Sequence, residues 1–243
     1  MDRRLGKDLP EFDRRMLRLS KYLDLAKLPP IPEADNNYVK MSKFTMAMND
    51  ELPCCVVSGA VHMIQVWTSM AARERILPDS MVERTYYDRT GGFDTGLNLL
   101  QFLKWWRSDS IAGHPIGAFV AVNPTNMQQM KAAIHLFGGV FTGIGLPLSA
   151  QDQNVWDVVH GGPQSRPYSW GGHLTICCQY DAGGNLFNYT WGDKVKMTPA
   201  FASCYVDEAY AVLSLDWFRA DHKSPDGFAW RDLLSDLNKI KSM

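Results

Sequence analysis

The chain has 243 residues, 46% of them hydrophobic, 21% charged and 12% aromatic, with a formal net charge of −1. That length supports one large domain with a sizeable core, and the composition excludes disorder over most of it. Balanced charge excludes the basic face that binding to nucleic acid or to an anionic membrane needs, and no stretch approaches the ~20 apolar residues of a membrane span.

Residues 1–48 read as a peripheral N-terminal lead-in and 49–243 as a single globular unit. The opening Met-Asp-Arg-Arg has no apolar run behind it, so no secretory signal is expected and the expected location is the cytoplasm or a virion. In the lead-in, Arg3, Arg4, Lys7, Arg14 and Arg15 alternate with Asp8, Glu11 and Asp13, which predicts a solvated face that could dock an assembly partner. The spacing of Phe12, Met16, Leu19 and Leu23 predicts a short helix over residues 10–26, ended by Pro29-Pro30-Ile31-Pro32.

From Cys55 to about Ala72 the apolar positions fall on more than one helical face, which predicts a helix buried at the centre of the domain. A short helix over Ser80–Tyr87 follows, then one capped by Asp94 or Thr95 and running through Leu100, Leu103 and Trp106. The pattern then turns to a strand at Ile116–Val122, a helix at 126–137 and a strand at Val140–Leu146. Residues 150–171 read as a long loop. Strands His173–Tyr180 and Leu186–Trp191 flank the hairpin signal Asp181-Ala182-Gly183-Gly184. A short helix at Thr198-Pro199, a strand over Glu208–Leu215 and an amphipathic helix over 229–240 close the chain. Helices first and an antiparallel sheet after them is the α+β pattern.

Five cysteines occur as Cys54/Cys55, Cys177/Cys178 and Cys204, a spacing that matches no zinc site and suggests free thiols in a reducing compartment. No phosphate loop is present, and neither a metal nor another cofactor is expected. Cys55 stands at the first turn of the buried helix, where unpaired backbone N–H groups and the helix dipole lower a thiol pKa. His173, after Gly171-Gly172 and on an apolar strand, is placed to act as its base. His62, His114, His135, His160 and His222 show no paired spacing and read as structural or exposed. Trp105-Trp106 reads as one core and one surface ring, and Met41, Met46 and Met48 as packing around the site entry.

Several pieces in order carry a resemblance: Asn49-Asp50-Glu51-Leu52-Pro53-Cys54-Cys55 leading into a helix, Gly91-Gly92 opening the next, Leu136-Phe137-Gly138-Gly139, Gly171-Gly172-His173, Thr190-Trp191-Gly192 and Tyr205-Val206-Asp207-Glu208-Ala209-Tyr210. Over most of its length the sequence resembles the papain-like cysteine protease superfamily, in a divergent branch found in bacterial and phage genomes. The resemblance implies a papain-like fold, a helical part with a central buried helix followed by an antiparallel sheet. It implies Cys55 as nucleophile, His173 as general base, and Asn49, six residues before Cys55, as the oxyanion-hole amide. It further implies that Gly91 and Gly92 bind substrate backbone and that Trp191 shields the partner of the base.

Two positions depart from the family pattern. Pro53-Cys54 precedes the nucleophile, so Cys54 is a rival thiol. Where the family has its orienting asparagine stands Tyr189, leaving three outcomes: no third member, Asn188 brought in by a bulge, or Thr190 in its place. The implied activity is cleavage of a peptide or amide bond in a peptide or protein substrate. The alternative is a non-catalytic structural or binding protein on the same scaffold, such as a phage particle component.

Overall fold

The structure, a computed structural model, describes residues 3–22, 30–218 and 224. Among its described residues the lead-in forms one turn of helix, α1 (Leu19–Tyr22), and a two-residue strand, β1 (Asp35–Asn36). Of the expected helix over 10–26, residues 10–18 are not helical because their backbone is used elsewhere: the Ala121 amide donates to Leu17 O at 2.8 Å, and Arg18 bridges to Ala121; residues 23–26 lie outside the described residues. The lead-in is also not peripheral. Tyr38 is buried, its hydroxyl receives the Cys178 amide at 3.1 Å and donates to the carbonyl of Ile176 or Phe187, 3.0 Å away.

Helix α2 (Cys55–Met70) has no Asp, Glu, Lys or Arg, and all of its residues are buried, as the two-faced apolar pattern predicts. Helix α3 (Asp79–Thr90) ends on Gly91 in the left-handed conformation. Helix α4 (Leu99–Ser108) begins later than expected, because Asn98 and not Asp94 or Thr95 caps it, accepting from the Gln101 amide at 3.1 Å. Within α4 Trp106 is fully buried, while Trp105 is half-buried with the Arg89 guanidinium 4.4 Å from its ring centre.

A minimal hairpin, β2 (Ser110–Ile111) and β3 (His114–Pro115), leads to β4 (Ala118–Ala121), helix α5 (Met127–Phe137) and β5 (Val140–Leu146). The remaining elements are β6 (Val155–Trp156), β7 (Gly171–Tyr180), β8 (Leu186–Thr190), β9 (Asp193–Met197), α6 (Pro199–Tyr205) and β10 (Val206–Leu213). The main sheet runs β4-β10-β5-β7-β8-β9-β6, with β1 beside β7, and every pair except β6–β9 is antiparallel. The fold class is therefore α+β, helices first and an antiparallel-rich sheet after them. Helix α2 lies against β7, and it can come close because a side chain at Gly59 would collide with Leu174 Cδ2, 2.6 Å away. Strand β9 alternates over only Lys194-Val195-Lys196-Met197, a run at the lower limit of a strand signal and not among the expected strands, and β6 is two residues within the long loop. The expected helix over 229–240 lies outside the described residues. Among those described, no helix is long and apolar enough to cross a membrane.

Candidate active site

Cys55 is the first residue of α2, and its sulfur accepts from the backbone amide of Leu174, the residue after His173, at 3.4 Å. The amides of Gly6 and Val56 also face the thiol. Cys54 is the residue that caps α2, and its sulfur turns away to Ser58 Oγ (3.2 Å) and Ala47 O (3.6 Å). The structure thus separates the two adjacent thiols, and only Cys55 lies against β7. Sequence reasoning expects a depressed Cys55 pKa, yet burial pushes it up to about 11, outweighing the three amides and the nearby Lys7 charge. The helix terminus is present; the water that would solvate a thiolate is excluded.

His173 is fully buried on β7. Its Nε2 lies 2.7 Å from Thr190 Oγ1, and the Trp191 indole stacks on the imidazole with centroids 4.1 Å apart and planes 8° from parallel. Nδ1 has no hydrogen-bond partner. Burial, then the positive charges of Arg3 and Lys7, lower its pKa to about 3, so the ring is neutral. Thr190 is therefore the residue beside His173. Asn188 stays one step along the sheet, its Oδ1 accepting from Thr175 Oγ1 (2.8 Å) and Thr142 Oγ1 (3.3 Å). Tyr189 points to the α2 side, stacking on His62 at 3.8 Å with its hydroxyl bonded to Thr45.

Asn49 is buried in the turn before α2, and its Oδ1 has no partner. Met41, Met46 and Met48 are half-buried against the core. Gly91 and Gly92 do not open a helix. They close α3 in left-handed conformations and are exposed, and the nearest atoms to a Cβ at Gly91 belong to Phe93. The backbone that takes part in pairing is at Gly96–Leu97, a few residues later.

What pairs with it is the start of the chain itself. Residues Arg3–Asp8 form a strap between Leu97 and the start of β7. The Leu97 amide donates to Gly6 O (2.9 Å), the Asp8 amide to Leu97 O (3.1 Å), and on the other flank the Lys7 amide to Gly172 O (3.1 Å). Trp191 Nε1 donates to Arg4 O at 3.4 Å, and the Arg3 guanidinium lies 5.0 Å from the Trp191 ring centre. The strap sits so close that a Cβ on Gly6 would stand 1.7 Å from Pro53 O, which only glycine avoids. Lys7 is enclosed, with its Nζ 3.2 Å from both Asp207 Oδ1 and Glu208 Oε1. Sequence reasoning missed this strap. Its traces were a single glycine beside Lys7 in the lead-in, and two acids, Asp207-Glu208, within an otherwise apolar strand.

No protein-family model and no curated protein matches the sequence. The fold is similar to that of xylellain, a cysteine protease from Xylella fastidiosa, with a TM-score of 0.67 at 13% identity over 88% of this chain and 99% of that one. It is also similar to procathepsin B S9 from Trypanosoma congolense (TM-score 0.60, 9% identity, 86% of each chain) and to digestive procathepsin L 3 from Tenebrio molitor larval midgut (TM-score 0.55, 10% identity, 87% and 76%). The chain has the fold of papain-like cysteine proteases.

Proposed function

We propose that this chain is a cysteine peptidase whose nucleophile is Cys55 and whose base is His173, in a form closed by its own residues 3–8. The observation that carries this reading is the strap: an extended backbone bonded to Leu97 on one side and to Gly172 on the other, with its Gly6 amide at the one thiol that lies against β7 at the start of the buried helix. With a substrate in place of the strap, Cys55 Sγ attacks the scissile carbonyl carbon while His173 Nδ1, which has no hydrogen-bond partner in the closed form, takes the thiol proton. The Cys55 amide and the Asn49 side chain stabilise the oxyanion. His173 returns the proton to the leaving amine, and water then cleaves the thioester. Thr190 holds the far side of the imidazole, and Trp191 covers its face.

Labelling of the full chain carrying Lys7→Ala, which removes the ion pairs that anchor the strap, with a thiol-reactive peptide electrophile, followed by mass spectrometry, tests the assignment. Modification is expected at Cys55, and Cys55→Ala should abolish both labelling and peptide hydrolysis, whereas Cys54→Ala should leave both within about threefold. Labelling at Cys54 with Cys55 untouched would move the nucleophile by one residue and sink the reading.

A further inference from the structure

A peptidase centre does not by itself require a lysine to be enclosed beside it. We propose that the pocket holding Lys7 recognises a lysine side chain of the peptide substrate, with Lys7 as its internal stand-in; this rests on the peptidase reading above. The strap's main-chain bonds to Gly172 and Leu97 are ones that any extended peptide can make, so they carry no sequence preference. Preference has to come from the side chain that points inward between them, and that side chain is Lys7.

The pocket is built for a cation at the end of a long apolar stem. Lys7 Nζ lies 3.2 Å from Asp207 Oδ1 and from Glu208 Oε1 and 3.3 Å from the Tyr168 hydroxyl, all supplied by the domain; only the 3.0 Å bond to Asp8 O comes from the strap. Neighbouring residues on a strand ordinarily face opposite sides. Here a bulge in β10, where Val206 pairs with Ile144 but Glu208 with Gly143, turns both Asp207 and Glu208 toward the same ammonium. The stem needs a channel, and Gly143 provides it: a Cβ there would lie 2.3 Å from Lys7 Cε and 2.5 Å from Glu208 Cγ. The Tyr168 hydroxyl donates to Asp207, fixing that carboxylate at the mouth.

When the strap leaves, Glu208 and Asp207 remain together with no cation, and Glu208 is almost wholly buried. An uncompensated buried carboxylate is costly, so the vacated pocket favours a guest that restores the charge. Norleucine fills the same channel but leaves both acids unpaired, and an acidic side chain adds a third negative charge. Discrimination therefore rests on the ammonium.

The test uses the full chain carrying Lys7→Ala, to vacate the pocket, and Cys55→Ala, to prevent turnover. The probe is a fluorescein-labelled peptide with the strap's own sequence, Arg-Arg-Leu-Gly-Lys-Asp-Leu-Pro, and the same peptide with norleucine for lysine. Fluorescence anisotropy should show the lysine peptide binding about 10-fold more tightly or better, an advantage that falls below about threefold when Asp207→Asn and Glu208→Gln are added. Equal affinity for the two peptides overturns the inference. Should Lys7→Ala not fold in plain buffer, n-butylamine against n-butanol decides: refolding with the amine alone supports the pocket, and no difference between them overturns it. With Cys55 restored, failure to cleave any member of a mixed set of lysine-containing peptides, despite unequal binding of the two probes, defeats the peptidase reading and leaves lysine recognition standing. Cleavage within that set with equal affinity for the two probes does the reverse.

Discussion

Two buried sites lie under the same strap, and they handle charge in opposite ways. At Cys55 and His173 no counter-ion touches either group, and burial keeps both neutral, the thiol with a pKa of about 11 and the imidazole of about 3. A few ångströms of strap further on, Lys7 is equally enclosed, yet it meets two carboxylates and a tyrosine hydroxyl. Desolvation penalises the charged form in both places; only the second site supplies partners that oppose it, and burial still pushes the Glu208 carboxyl pKa up against the pull of Lys7. The contrast separates two roles for one segment. Over Cys55 and His173 the strap excludes water, and burial keeps both groups in their uncharged forms. In the pocket it is anchored by an ion pair that its own departure would break.

The largest expected effect comes from breaking that anchor. Lys7→Met keeps most of the stem and removes the charge, leaving Glu208 and Asp207 facing one another. A stability loss of about 3–5 kcal/mol follows, because removing one partner strands a buried charge. Adding Glu208→Leu and Asp207→Asn to Lys7→Met should recover most of it, measured by urea unfolding. If the single variant loses less than about 1 kcal/mol, the pocket is not held by charge and the contrast with the centre fails.

Acidification should act on the other site. His173 has a pKa of about 3 in the closed form, below the ordinary value near 6.5, so the open or unfolded chain binds a proton that the closed form refuses. Its contribution to stability is present above pH 6.5 and is lost as pH falls toward 3, amounting to about 2 kcal/mol by pH 5. At the alkaline end Cys55 has the complementary sign, since stability falls as pH rises past the ordinary thiol value toward 11. Denaturant midpoints at pH 7 and pH 5 for wild type and His173→Phe isolate the first effect, with phenylalanine keeping the stack on Trp191. The wild type should lose about 2 kcal/mol more than the variant over that interval. Equal losses would mean that the imidazole is not kept neutral by the strap.

The architecture was legible where periodicity was strong. The uncharged run after Cys55, the alternation in Val140–Leu146 and the glycine turn between β7 and β8 each specify one conformation, and each formed it. The site was legible only along the strand and helix that hold Cys55 and His173. Gly91-Gly92 looks like a close-approach signal, but paired glycines after a helix also end it, and a sequence does not say which use applies. The strap was illegible for a different reason: residues 3–8 have neither periodicity nor turn chemistry, and their place depends on acids 200 residues away, Lys7 with Asp207 being one such contact. The bulge that aims Asp207 and Glu208 together has no marker in composition either. Long-range charge pairing and local backbone irregularity are what the sequence pattern leaves unsaid.

The smallest expected effect concerns how the base is held. An amide oxygen only accepts, so an asparagine beside Nε2 would fix the proton there and leave Nδ1 free for the thiol. Thr190 offers a hydroxyl at 2.7 Å that can accept or donate, so both tautomers of His173 keep the bond. The orienting interaction is present but does not select the reactive tautomer. Thr190→Val removes the bond with little change of volume; it should cost about 1 kcal/mol of stability and lower kcat/KM about 10-fold, with KM nearly unchanged. Thr190→Ser, which keeps the hydroxyl, should stay within about threefold of wild type. Tyr189→Asn should not improve turnover, because Tyr189 lies on the α2 side, where it stacks on His62 and bonds Thr45. Steady-state rates of the three variants on one lysine-containing peptide decide the matter. A gain from Tyr189→Asn, or no loss from Thr190→Val, would show that the base takes its orientation from somewhere other than Thr190.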